Sequence, residues 1–193
     1  MFMRLNVKMN KGFTLIEFLV SITIIGILTA MFIPSYLKFQ THLSLQRSAI
    51  KLAQDVKVAQ EMAIAAAECP KCPSGEASNT GYGVYFDMGW DNKQYRLYAD
   101  TANSDEFFTN GADTVLDTME LEDKIFIEDI DGDKFAGIVS INFKPPDPGT
   151  KINDNSSDLD DTVITLCIQG SDCTKANNIM EIKVNTAGLI YVE

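Results

Sequence analysis

From Phe18 to Ile33 the chain is apolar almost without interruption, softened only by Ser21, Thr23, Gly26 and Thr29. With its flanks to Leu37 the run reaches the roughly 20 residues a membrane-spanning helix needs. The pattern then changes from apolar all round to apolar on one side. Leu45, Ala49, Leu52, Val56, Ala59, Ala63 and Ala66 recur at alternating spacings of four and three, with Gln46, Gln54, Asp55, Lys57, Gln60 and Glu61 between them. That spacing predicts an amphipathic helix with one buried stripe. Pro70 disfavours helix at Cys69 and sets the expected end. Taken as one helix from Phe13 to Glu68, the segment would run about 80 Å at ~1.5 Å per residue, with Pro34 expected to kink or loosen it. A helix of that length cannot be buried whole in a small domain, so its first half needs other company.

From Ser74 onward the period shortens to that of strands broken by turns. GYGVYFD (81–87) and QYRLYA (94–99) flank MGWDNK and read as a hairpin. Further candidates are 114–121, 124–130, 138–143, 162–168, 179–184 and 188–192, while INDNSSDLDD (152–161) reads as a polar, acidic loop. The expected fold is α+β: a long N-terminal helix, membrane-spanning in its first half and amphipathic in its second, packed on an antiparallel β-sheet domain. The divisions are a leader at 1–12, an anchor helix at 13–37, its amphipathic continuation at 38–68 and the β domain at 69–193. Tyr82, Tyr85, Trp90, Tyr95 and Tyr98 gather on the first hairpin. Alternation should bury one set against the helix and expose the other, leaving the Trp90 turn as a candidate adhesive or subunit-contact tip.

Charge narrows the partners. The chain has 193 residues and a formal charge of −11, and 7 of its 16 Lys and Arg lie in the first 57 positions. An acidic body disfavours nucleic acid, which needs clustered Lys and Arg. His42 is the single histidine, so histidine-based metal sites and Ser-His or Cys-His catalysis are all but excluded, and His42 itself reads as incidental. No nucleotide-binding loop and no nucleophile–base pair occurs, and the chain reads as a non-enzyme. Cys69, Cys72, Cys167 and Cys173 form two close pairs. Outside the cytoplasm disulfides are the default use, and proximity favours 69–72 with 167–173. A four-thiolate zinc site would fit CPKC but not the looser CIQGSDC.

The joint between the basic leader, with Arg4, Lys8 and Lys11, and the apolar helix carries the sharpest signal: KGFTLIEFLV, residues 11–20. A carboxylate at the middle of a spanning helix costs roughly 2.5–3.5 kcal/mol, and less near an interface, so Glu17 needs a reason. This stretch resembles the type III signal of type IV pilins and of the pseudopilins of type II secretion. The resemblance implies cleavage by a prepilin peptidase between Gly12 and Phe13, with N-methylation of the new Phe13 terminus. It also places Glu17 at the family's glutamate, fifth in the mature chain, and Pro34 where many members carry a helix-loosening proline. Cleavage would create an α-amine that stays charged at neutral pH. Glu17 could pair with it locally at i, i+4, or meet a neighbour's amine in a water-poor filament core, where an unpaired carboxylate is penalised. The implied partners are other pilin or pseudopilin subunits, the prepilin peptidase, an inner-membrane assembly platform, and lipid before assembly. The implied location is the bacterial inner membrane, single-pass, with the C-terminal domain outside the cytoplasm, then a filament.

The remainder, from AQDVKVAQEMAIAAA through SINFKPPDPG and TVITLCI to IMEIKVNTAGLIYV, resembles the GspH/FimT-like minor pilins. Members that capture DNA have basic C-terminal ends, whereas no Arg or Lys follows Lys183 here, which argues against DNA uptake. A DNA-uptake minor pilin, a single-pass anchored adhesin or sensor domain, and a secreted protein cut near Met31 by ordinary signal peptidase remain the alternatives. No cofactor is expected. Asp129, Asp131 and Asp133 have the alternating spacing that can converge on calcium, but Ser140 stands where an EF-hand needs its bidentate Glu, and a solvated turn between two strands explains them better. Asp154, Asp158, Asp160 and Asp161 likewise read as a loop.

Overall fold

The computed structural model describes residues 12–69, 71–72, 81–101, 106–131, 137–144, 149–153 and 158–193. A single α-helix, α1, spans Leu15–Ile64. The chain separates into two compact units, Met1–Gln40 and Thr41–Glu193, and α1 contributes to both.

In the first unit every residue from Gly12 to Gln40 is exposed. The helix continues through Pro34, which has no N–H to give the carbonyl of Ala30. The hydroxyls within the apolar run turn inward on their own backbone. Ser21, Thr23 and Thr29 each donate to the carbonyl four residues back, at 2.8 Å. Their polarity is thereby spent locally, which suits a helix destined for apolar surroundings.

The second unit joins the rest of α1 to two antiparallel sheets. Its strands are β1 (Gly81–Asp87), β2 (Gln94–Asp100), β3 (Thr114–Glu120), β4 (Ile125–Asp131), β5 (Ile138–Lys144), β6 (Gly149–Asn153), β7 (Asp158–Leu159), β8 (Asp161–Ile168), β9 (Ile179–Asn185) and β10 (Ile190–Val192). One sheet has the order β3-β2-β1-β5-β6-β7 and the other β10-β9-β8-β4. The helix stripe Leu45, Ala49, Leu52, Val56, Ala59 and Ala63 lies at 0–2% exposure in one core with Tyr82, Val84 and Phe86 of β1, Ile141 and Phe143 of β5, Ile164 and Leu166 of β8, and Ile182 and Val184 of β9. Small alanines on this stripe bring the helix backbone close to the sheets, while Leu52 and Val56 fill the space between. The α+β architecture is therefore the one the periodicities predict.

Four local expectations need correction. The helix ends at Ile64, not at Cys69. The Ala67 N–H reaches the Met62 carbonyl and the Ala66 N–H the Ala63 carbonyl, both at 3.0 Å, while Ala66 takes φ +44°. This is a Schellman closure, so Ala66 leaves the stripe and is exposed. Within 152–161, expected as a loop, the end of β6 and all of β7 form a narrow ladder in which Ile152 opposes Leu159. Lys151 neutralises Asp158 at 3.2 Å, which lets so acidic a sequence pair.

The first hairpin does not expose one face. Tyr98 is fully buried although it lies outside the core that holds the helix stripe, because Phe107 and Phe108 pack on Tyr85 and Tyr98 of β1 and β2. The Phe108 ring lies 4.5 Å from Tyr85 and 5.2 Å from Tyr98. Beneath Tyr98 sits Gly83, where a Cβ would lie 2.6 Å from the ring. Asp129 and Asp131, finally, belong to β4 itself rather than to a turn.

Candidate functional site

The junction at the start of α1 is built from Gly12, Phe13, Thr14 and Glu17. Among the described residues nothing approaches within 4 Å of the position a Cβ would take at Gly12, so none of them requires a glycine there. Phe13 is 85% exposed. Thr14 caps the helix. Its Oγ1 accepts the Glu17 N–H at 3.3 Å, and its carbonyl accepts the Phe18 N–H at 3.2 Å. TLIE thus has the order of a capping box, with Glu17 at the third helical position. An acid in the first turn also faces the positive end of the helix dipole, worth about 0.3–1 kcal/mol. This helix-capping role is readable in the spacing of Thr14 and Glu17. From Leu15 onward the helix is long and apolar enough to cross a membrane, which fits a single-pass anchor.

The four cysteines form two disulfides, Cys69–Cys72 and Cys167–Cys173. A four-thiolate zinc site has no sulfur left to use. Cys167 is fully buried in β8, whereas Cys69 and Cys72 pack against the core from its rim. Between the latter pair, Lys71 Nζ donates to the Leu116 carbonyl of edge strand β3.

Among the acidic candidates, Asp129 and Asp131 are both exposed, and Asp133 lies outside the described residues. A calcium ion takes six to eight oxygens, and no group of three or more candidate ligands gathers among the described residues. Asp154 also lies outside the described residues. Asp158 is held by Lys151 and, at 3.3 Å, by Asn153 Nδ2, and Asp161 opens β8. The Trp90 turn is exposed, but one ring face is covered by the Arg96 guanidinium, 3.7 Å from the centroid. On the helix, Asp55 Oδ2 accepts the Tyr95 hydroxyl at 2.6 Å, and Gln60 Nε2 donates to the Gly188 carbonyl at 3.1 Å. Both residues had read as part of a solvent face. They instead tie α1 to the sheets, a role that periodicity does not reveal.

Against known proteins, residues 7–33 match the family model described as the prokaryotic N-terminal methylation motif. The match spans Gly12, Phe13 and Glu17 and stops one residue short of Pro34. No curated protein and no solved structure matches the chain.

Proposed function

We propose that the chain is the precursor of a filament subunit, of the type IV pilus or type II secretion pseudopilus kind, cut after Gly12 and methylated on Phe13. The observation that carries this reading is the methylation motif at 7–33, continuous with a helix exposed along its whole apolar length. Such a helix has two solvents available to it, lipid and copies of itself. Arg4, Lys8 and Lys11 on the leader favour its retention on the cytoplasmic side, and two disulfides in the second unit suit an oxidising compartment on the other. The resemblance of the sequence after the helix to GspH/FimT-like proteins favours a minor pseudopilin acting in secretion. Its role would be structural: to wait in the inner membrane and then be drawn into the filament by the assembly platform.

Glu17 would serve in both states. At the helix start it complements the dipole, and after cleavage it gains the Phe13 amine of a neighbouring copy as partner. Replacing Gly12 by a bulkier residue should leave the uncut mass, with no methylated Phe13 on mass spectrometry; normal maturation of that variant would sink the reading. Glu17→Gln keeps the shape of the side chain and removes its charge, while the cap bond from the Glu17 N–H to Thr14 is untouched. Membrane insertion and processing should therefore persist while assembly falls. Normal assembly of Glu17→Gln would contradict the pairing.

A further inference from the structure

Between Phe13 and Gln46 the helix carries two charged side chains, Glu17 and Lys38. They are separated by about 30 Å of helix at ~1.5 Å per residue, the thickness of a bilayer hydrocarbon core. In the membrane the Lys38 ammonium would therefore reach headgroup phosphate. Once the helix leaves lipid, that cation needs another anion, because an unpaired charge between packed helices is costly. No ion pair or side-chain hydrogen bond holds Lys38 among the described residues. Its neighbours Leu37 and Phe39 are also exposed, at 57% and 60%.

The second unit offers a complementary surface. His42 and Leu45 of α1, Met180 and Glu181 of β9, and Glu193 after β10 line an open groove of about 670 Å³. Leu45 and Met180 give it an apolar floor, and the two glutamates a rim. Backbone bonds of 3.0 and 2.9 Å between Glu181 and Glu193 set them directly opposite each other, an arrangement in which like charges repel. Lys183 bridges the pair at 3.3 and 2.7 Å. One ammonium between two carboxylates leaves a net negative rim with room for a second cation.

We propose that the Glu181–Glu193 rim of one copy receives the Lys38 ammonium of a second copy, with the Lys38 methylene stem lying over the groove's apolar floor. The contact rests on the filament reading and deepens it. Lys38 trades lipid phosphate for protein carboxylate as the subunit leaves the membrane, so the exchange rewards extraction instead of opposing it. Charge sets the register: in a chain of net charge −11, Lys38 is the one basic side chain on the apolar half of the mature helix.

The test is a charge swap in the full chain expressed with its own assembly machinery, scored by membrane fractionation, mature mass and the assembled fraction sheared from cells. Lys38→Glu and Glu193→Lys should each be processed normally yet enter filaments at least roughly tenfold less. Lys38→Glu combined with Glu193→Lys should recover most of that loss. Cysteines placed at 38 and 193 should cross-link copies only in the assembled fraction. Normal assembly of Lys38→Glu, or a double variant as poor as the singles with no cross-link, overturns the contact. Loss of Lys38→Glu from the membrane fraction also overturns it, leaving lipid phosphate as the only anion Lys38 meets. If the unaltered chain itself is processed but never assembles, the filament reading fails, and that outcome is separate from failure of the contact alone.

Discussion

Ala66 closes α1 in the left-handed region, at φ +44°, where an L-residue with a Cβ is strained by roughly 1–2 kcal/mol. Glycine is the usual occupant of this position in a Schellman closure. Ala66 is exposed, so its methyl group contributes little packing to offset the strain. Ala66→Gly should therefore stabilise the folded chain by about 0.5–1 kcal/mol, the relief of strain less the entropy glycine loses on folding. Chemical denaturation of the full chain in detergent, followed by near-UV circular dichroism, would read the shift in midpoint. A variant less stable than the parent would mean that the left-handed closure does not form. The same residue marks a limit of sequence reading. Periodicity placed Ala66 on the buried stripe because alanine fits both a helix and its end, and only backbone bonding separates the two.

At the scale of elements, the turn that follows α1 is held by two contacts. The Tyr82 hydroxyl donates to the Ala67 carbonyl at 2.5 Å, and the Cys69–Cys72 bond positions Lys71 against Leu116. Leu116 sits beside the register shift between β2 and β3, on a strand that is the edge of its sheet, so Lys71 blocks a carbonyl that would otherwise invite pairing with another chain. Replacing Cys69 and Cys72 together by serine should cost about 2 kcal/mol and speed amide exchange in β3 while leaving β8 and β9 slow. Uniform exchange across both sheets would contradict a local clip. The helix stripe and most strands were legible because each repeats a single rule over many residues. β7 was not, since two residues carry no period. The cover over Tyr98 was hidden as well, because Phe107 and Phe108 lie in a segment with neither helix nor strand pattern. At the junction, the methylation motif at 7–33 was legible for the opposite reason: few combinations of basic leader, glycine and lone carboxylate precede so long an apolar run. Glu181 and Glu193 gave no such hint, because twelve positions separate them and only the β9–β10 pairing brings them opposite.

For the molecule as a whole, alkaline pH acts through the buried tyrosines. Four tyrosines of the second unit ionise less readily than free tyrosine, each first because burial penalises the phenolate. Tyr85 is pushed up to about 12, with the Asp87 charge adding to burial. Tyr95 is raised further by burial and then by its bond to Asp55. Tyr98 stays high from burial even though bonds to Ser140 and Asn142 pull the other way. In the unfolded chain these groups release their protons near pH 10. Below that value both states hold them and stability is unaffected. Above it the unfolded chain binds fewer protons than the folded one, so stability falls as pH rises, by up to about 1.4 kcal/mol per pH unit for each of Tyr95 and Tyr98. Since domains are stable by only ~5–15 kcal/mol, the second unit should unfold cooperatively above pH 10, before its buried tyrosines titrate one by one. A pH titration of the full chain in detergent should then show tyrosinate absorbance and loss of near-UV ellipticity rising together. Smooth ionisation near pH 10 with the ellipticity intact would mean that the tyrosines are not held between helix, sheets and the Phe107–Phe108 cover. The α1 anchor, with no tyrosine before Tyr36, should keep its helical far-UV signal through the same transition.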